Sequence, residues 1–214
     1  MILVINGSPK PGGNLQRILE RVAEGTGRPY EMVSLAKLNI SPCIGCVKCA
    51  KTQRCVRKDD MAPLYDKIED CEALIVGGVS YFARANGFTR NFLERMFALR
   101  HMRMVTKGKP AVVVAVGGTE AEPVIQELEY HLGFYFLFNV VGSVKFNSAT
   151  PPCYSCGFGT ECKYGRPARM MSEEEFAAFH EITPDMFKHF EDFPAITAAC
   201  DEASAKLREA STNP

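Results

Sequence analysis

Apolar residues along the chain fall into short unbroken runs that alternate with stretches where they recur every three or four positions. The runs are "ILVIN" (2 to 6), "YEMVSL" (30 to 35), "ALIVGGV" (73 to 79), "AVVVAVGG" (111 to 118) and "FYFLFNVVGSV" (134 to 144). Unbroken apolar runs suit strands covered on both faces, which is the habit of parallel sheets. Between them lie "NLQRILERVAEG" (14 to 25), "DDMAPLYDKIED" (59 to 70), "GFTRNFLERMFALRH" (87 to 101) and "EPVIQELEYHLG" (122 to 133), with apolar residues at helical spacing behind polar or acidic starts. The alternation predicts an α/β fold, a doubly wound sheet of five parallel strands. Such a sheet binds its ligand at the carboxyl ends of the strands, beside the point where strand order reverses.

Two stretches exceed what that sheet needs. "SPCIGCVKCAKTQRC" (41 to 55) interrupts the crossover between the second strand and the second helix. Residues 145 to 171 make a long connection rich in Pro, Gly and Cys, and connections above ~12 to 15 residues are usually functional or disordered. After Ser172 the pattern gives a helical tail broken near "ITPD" and Pro194, and Phe176, Phe179, Phe187, Phe190 and Phe193 read as core or subunit-interface packing. The expected division is 1–145 for the sheet domain, with the cysteine loop at 41–58. Residues 146–214 form an insertion and tail packed on the same domain or on a partner subunit.

Composition narrows the function. A chain of 214 residues, 46% hydrophobic, buries a core without a cysteine scaffold. With 25 basic and 25 acidic side chains it has no net field to attract nucleic acid or an anionic membrane, and neither is expected as a partner. The opening "MILVINGSPK" is too short to span a bilayer and has no basic segment before it. The expected location is the cytoplasm, where thiols stay reduced and closely spaced cysteines bind metal or do redox chemistry more often than they form structural disulfides.

The cysteine loop carries the most specific signal. Cys43, Cys46 and Cys49 are two residues apart, and Cys55 follows after five more. Such a run can wrap four thiolates around a 4Fe-4S cubane. Zinc also takes four cysteines, though more commonly from separated pairs, and free or disulfide-forming thiols are the third reading. The compact run favours the cluster. Lys48, Lys51, Arg54, Arg57 and Lys58 surround it, either to offset thiolate charge or as a solvated basic face. "CYSCGFGTEC" holds Cys153, Cys156 and Cys162, a second candidate metal site if a fourth ligand joins; packing, unliganded thiols and a redox disulfide are the alternatives. Cys71 and Cys200 read as buried small hydrophobes, and His101, His131, His180 and His189 as structural.

A second signal follows the first strand. In "NGSPKPGGNLQRILE" a glycine-rich turn leads into a helix whose free N–H groups and dipole favour an anion. Ser8 offers a hydroxyl, Gly12 and Gly13 permit close approach, and Asn14 caps the helix or donates to phosphate. The pattern is neither the three-glycine dinucleotide fingerprint nor a P-loop, and an ordinary tight turn capped by Asn14 is the alternative. "GGVSYFARANG" and "VGGTEAE" follow the third and fourth strands. Tyr81 and Phe82 offer flat apolar surfaces, and N–H groups around Ser80 to Ala83 suit the edge of a heterocycle such as a flavin. Two surface loops with an aromatic anchor are the simpler reading.

Taken together, "GSPKPGGN", "CIGCVKC", "DDM" and "YF" ahead of "NFLERM" resemble the NADPH-dependent FMN reductase family of flavodoxin-like folds, and within it the iron-sulfur flavoproteins, over roughly residues 1 to 145. The resemblance implies strand order 2-1-3-4-5, with Ser8, Lys10, Gly13, Asn14 and Leu15 around an FMN phosphate. It places Ser80, Tyr81, Phe82, Ala83, Gly117, Gly118 and Thr119 beside the isoalloxazine, and a 4Fe-4S cluster on Cys43, Cys46, Cys49 and Cys55. Leu15 stands where Ser or Thr is usual, Val79 where Pro is common and Lys10 where Arg is common, which predicts altered affinity rather than loss of the site. The implied activity passes electrons between cluster and FMN, with no side chain acting as nucleophile. Ferredoxin-like proteins or NAD(P)H are the expected donors, and quinones, oxygen species or proteins the acceptors. A homodimer or homotetramer would let one chain's cluster serve another's flavin. Two other readings are a cluster-free NAD(P)H-dependent FMN or quinone reductase and a zinc-stabilised flavodoxin-like binding protein.

Overall fold

Ile2, Leu3, Val4 and Ile5 are all fully buried, so strand β1 (Ile2–Asn6) meets apolar neighbours on both faces, as a central parallel strand must. The computed structural model of the chain describes residues 1–212. β1 pairs in parallel with β2 (Tyr30–Ser34) on one side and β3 (Ala73–Tyr81) on the other. A two-residue strand β4 (Arg84–Ala85) folds back antiparallel on β3, and β5 (Pro110–Gly117) and β6 (Asn139–Asn147) complete the sheet in parallel. The order is β2-β1-β3-β5-β6 with β4 on β3. Five parallel strands therefore lie in the doubly wound arrangement, and the expected five-strand count is corrected to six by β4.

Helix α1 (Asn14–Gly25) buries Leu15, Ile18, Leu19, Val22 and Ala23, a stripe at spacings of three and four that lies on one sheet face. The opposite face is covered by α2 (Ala62–Asp70), α3 (Gly87–Arg95) and α4 (Glu122–Glu129). Two short helices, α5 (Arg166–Met170) and α6 (Glu173–Ala177), lie in the long connection. The 19-residue α7 (Pro194–Thr212) then packs beside α1 over β5 and β6, burying Cys200, Ala203 and Leu207. Its Ser204 Oγ donates to the Val22 carbonyl at 2.9 Å, and a Cβ at Gly25 would meet that Oγ at 2.6 Å, so the helices cross where Gly25 leaves room.

Three expected boundaries move. The last strand begins at Asn139, not 134: residues Tyr130–Tyr135 instead extend α4 as a π turn, with Tyr130 and Phe134 stacked at a centroid distance of 5.1 Å. Aromatic residues four apart favour the helical path. The third helix ends at Arg95 and tightens into a 3-10 segment, Met96–Arg100. The second starts at Ala62 because Asp59 is held by the cysteine loop. Of the tail phenylalanines, Phe179 and Phe190 are buried and Phe193 leans on Phe146 at 5.4 Å. Among the described residues no helix is long and apolar enough to cross a membrane.

Candidate functional site

The three loops singled out in the sequence meet at the carboxyl edge of the sheet. Gly7 N–H donates to the Gly77 carbonyl at 3.0 Å, and Asn86 Nδ2 donates to the Gly7 carbonyl at 2.8 Å, with Thr89 Oγ1 donating to Asn86 Oδ1 at 2.7 Å. The β1–α1 loop is thus stitched to the start of α3. Gly12 takes φ +62°, which glycine adopts without strain. Gly13, not Asn14, occupies the N-cap, and no side chain caps the helix. The N–H groups of Gly13, Asn14, Leu15 and Gln16 find no acceptor among the described residues, so the first turn of a 12-residue helix presents the donors an anion needs.

Individual side chains depart from expectation. Ser8 Oγ accepts from Lys10 N–H at 3.1 Å and keeps only a long 3.5 Å contact from its own proton to the Lys10 carbonyl, so that proton remains available. Lys10 is exposed. Asn14 neither caps nor faces the loop: Nδ2 donates to the Lys188 carbonyl at 3.0 Å and Oδ1 accepts from Phe190 N–H at 3.1 Å. Leu15 is buried against Gly77, where a Cβ would lie 2.8 Å from Leu15 Cδ1. Its contribution to an anion is its backbone N–H alone. Arg17, which the sequence pattern did not single out, donates to the Gly12 carbonyl at 2.6 Å and pairs with Glu191. A cleft of about 480 Å³ opens on the β2 side of this loop, bordered by Ser8, Lys10, Gly12 and Lys37.

The second loop is a hairpin. Ser80 pairs with Ala85 and Tyr81 with Arg84, leaving Phe82 and Ala83 as a two-residue turn with φ +52° and +58°. That is the type I′ geometry, normally filled by Asn-Gly because both residues are left-handed. Phe82 is completely exposed and Tyr81 half exposed. The N–H groups expected to be free around Ser80 to Ala83 are partly spent on hairpin pairing. In the third loop, the Gly117 and Gly118 carbonyls accept from Ser148 N–H at 2.9 Å and Ala149 N–H at 2.7 Å, and Thr119 Oγ1 accepts from Arg166 Nη1 at 3.1 Å. The connection after β6 therefore runs directly along the edge expected to border a flavin.

The cysteine loop packs on the face covered by α2 and α3. Its ends are clasped by a buried ion pair: Arg95 Nη1 reaches Asp59 Oδ2 at 2.6 Å and the Ser41 carbonyl at 2.7 Å, while Ser41 N–H donates to Asp59 Oδ2 at 3.1 Å. Burial opposes the charge on Asp59, but the hydrogen bonds from Arg95, Ser41 and Met61 outweigh it and hold the carboxyl below its usual range. Gln53, at φ +56°, donates its amide to the Leu99, His101 and Arg103 carbonyls, pinning the far end of the loop. Left-handed turns at Gly45 and Val47 reverse the chain between the cysteines. Cys43 and Cys46 are exposed, Cys55 is intermediate and Cys49 is buried. Burial pushes the Cys49 thiol up, and Cys55, Cys46 and Cys43 push it the same way. Arg54 is committed to Asp66 and Glu69 on α2.

All nine cysteines are free thiols. Cys71 and Cys200 are buried as expected, and burial pushes the Cys200 thiol up to about 11. Cys153, Cys156 and Cys162 lie in the connection that flanks Gly117 to Thr119. Among the described residues no three His, Cys, Asp or Glu side chains converge closely enough to hold a single ion.

Residues 1–150 match the family model described as NADPH-dependent FMN reductase. The chain belongs to this family, in its iron-sulfur flavoprotein branch. It is 28% identical over 172 residues to an iron-sulfur flavoprotein of Methanocaldococcus jannaschii, covering 76% of this chain and 86% of the relative. It is 31% identical over 177 residues to one of Archaeoglobus fulgidus, covering 75% and 80%. A solved flavodoxin from the Archaea, 11% identical with a TM-score of 0.54 and all of both chains covered, shares the fold. This member of the FMN reductase family is a flavin-dependent oxidoreductase.

Proposed function

We propose that the chain binds FMN at the carboxyl edge of the sheet and a 4Fe-4S cluster on Cys43, Cys46, Cys49 and Cys55, and that it passes electrons between them. The observation that carries the reading is the four-cysteine loop, clasped at both ends by Asp59 and Arg95, on a fold of the FMN reductase family. Bound there, FMN would supply one- and two-electron chemistry and the cluster one-electron exchange. The chain's own part is positional. The first-turn N–H groups of α1 with Ser8 and Lys10 would receive the phosphate, and the hairpin at Ser80, Tyr81, Phe82 and Ala83 would lie against one side of the ring system. Gly117, Gly118 and Thr119 would border the other, screened from water by residues 148–150.

The cysteine loop lies on the α2–α3 face and the flavin edge beyond β3, which supports an assembly in which one chain's cluster faces another's flavin, as a homodimer or homotetramer. A reduced ferredoxin-like protein or NAD(P)H as donor, a quinone, oxygen species or protein as acceptor, and a cytoplasmic location complete the proposal. The test is protein purified without oxygen, assayed for FMN, iron, sulfide and zinc in one sample. About one FMN with four iron and four sulfide per chain is the expected result for a single cubane in the loop. FMN without iron would replace the proposal with a simple NAD(P)H-dependent flavin or quinone reductase, and tightly bound zinc without flavin with a binding protein.

A further inference from the structure

The connection between β6 and α5 repeats a device found in the first cysteine loop. There, Gly45 N–H donates to Cys43 Sγ, two residues back, at 3.4 Å, the left-handed glycine being the donor itself. In the connection, Phe158 N–H donates to Cys156 Sγ, again two residues back, at 3.4 Å across Gly157 at φ +83°. A second backbone donor, Arg166 N–H, reaches Cys153 Sγ at 3.3 Å. A protonated thiol is a weak acceptor, whereas a metal-bound thiolate gains from N–H donors that set its charge and potential. Neither buried structural cysteine, Cys71 or Cys200, accepts from an N–H among the described residues; Cys71 donates its own proton to the Ile68 carbonyl at 3.3 Å.

Gly165 brings two of the three cysteines to one side of this connection. A Cβ at buried Gly165 would stand 3.4 Å from Cys162 Cβ and 3.5 Å from Cys153 Sγ, so both side chains border the space that glycine leaves. Cys156 Sγ donates to the Cys153 carbonyl at 3.2 Å, fixing the turn between them. Cys156 is exposed and Cys153 and Cys162 are intermediate, and one torsion per side chain moves each sulfur without moving the backbone.

We infer that Cys153, Cys156 and Cys162 form a second thiolate centre for a thiophilic metal, zinc or an iron-sulfur cluster, with one coordination position not supplied by these cysteines. Three protein ligands with an open fourth position, and three cysteines completed by one further ligand, are both recognised zinc arrangements, and the same donor set suits a cluster with one iron free of protein. The centre would be fastened to the flavin edge through Arg166 to Thr119 and Ala149 to Gly118. It rests on none of the residues assigned to the first cluster.

The test compares wild type, C43S/C46S and C156S/C162S, all full chains purified without oxygen, for iron, sulfide, zinc and FMN per chain. The expected result is that C43S/C46S keeps a metal complement that C156S/C162S loses, a fall from about one equivalent to below ~0.1 if the metal is zinc, with FMN unchanged in both. Zinc or iron with sulfide in that complement tells which metal is bound. C156S/C162S retaining the full wild-type metal load, or C43S/C46S retaining none, would overturn the inference. Should either variant misfold, maleimide labelling of folded wild type with the labelled peptides mapped serves: Cys153, Cys156 and Cys162 reactive only after a chelator strips metal support it, and these three reactive at full metal load overturn it. An iron-free first loop sinks the proposed function and leaves this centre standing.

Discussion

At Gly7, just after the first strand, a Cβ would stand 2.7 Å from the Gly77 carbonyl oxygen and closer still to Thr89 Oγ1, so a methyl group has no room. Gly7→Ala is expected to cost about 1–3 kcal/mol through overpacking, read as a lower urea midpoint, and to weaken FMN binding by displacing the loop that precedes α1. A larger effect belongs to Asp59, whose side chain is 8% exposed and whose partner Arg95 is 1% exposed. Asp59→Asn strips the counter-charge from a buried guanidinium, and breaking such a pair costs roughly 3–5 kcal/mol. Because the folded carboxyl is held low, its stabilisation is fully present above the unfolded value of ~3.9 and is lost as pH falls through the folded one. Urea midpoints of wild type should therefore drop between pH 5 and 3 more steeply than those of Asp59→Asn. Asp59 was visible in the sequence within "DDM", but its partner was not: Arg95 sits 36 positions away in a helix, and nothing in its local pattern marks it as buried.

Among the elements, the β3–β4 hairpin holds stored strain. Two left-handed residues without glycine cost on the order of 1–3 kcal/mol each, and such strain persists where the surroundings impose it. Ala83→Gly is expected to stabilise the chain by about 0.5–1 kcal/mol and leave flavin affinity nearly unchanged. Phe82→Gly should relieve the same strain yet weaken FMN binding, because the ring at the tip is lost. Opposite signs in thermal melts and flavin titration are the check, and equal affinity in the two variants would remove Phe82 from the site. The central strands β1, β3 and β5 were legible because they are buried on both faces and read as unbroken apolar runs. The hairpin was not, since "YFAR" lacks the Asn-Gly signal that announces a type I′ turn. The aromatic run at 134–138 misled for a related reason: β-rich composition does not distinguish a strand from rings stacked along a helical turn.

Across the whole molecule, the tail is tied back to the loop that opens the fold. Asn14 bonds Lys188 and Phe190, and Arg17 pairs with Glu191, contacts spanning more than 170 positions. Asn14→Ala should lose about 1–2 kcal/mol for its two hydrogen bonds to the tail and speed proteolytic cleavage within 150–190, whereas an unchanged digestion rate would show that the tail is held elsewhere. Periodicity reveals a helix's apolar face but not which distant face it will cover, so α7 was legible as a helix and not as the second cover of the sheet. Protein synthesis makes that arrangement a matter of time. The backs of β5 and β6 stay bare until the ribosome has delivered α7, on the order of several seconds after Asn147 at ~5–20 residues per second. A nascent chain carrying that apolar surface is a natural client for the chaperones that meet polypeptides at the tunnel exit.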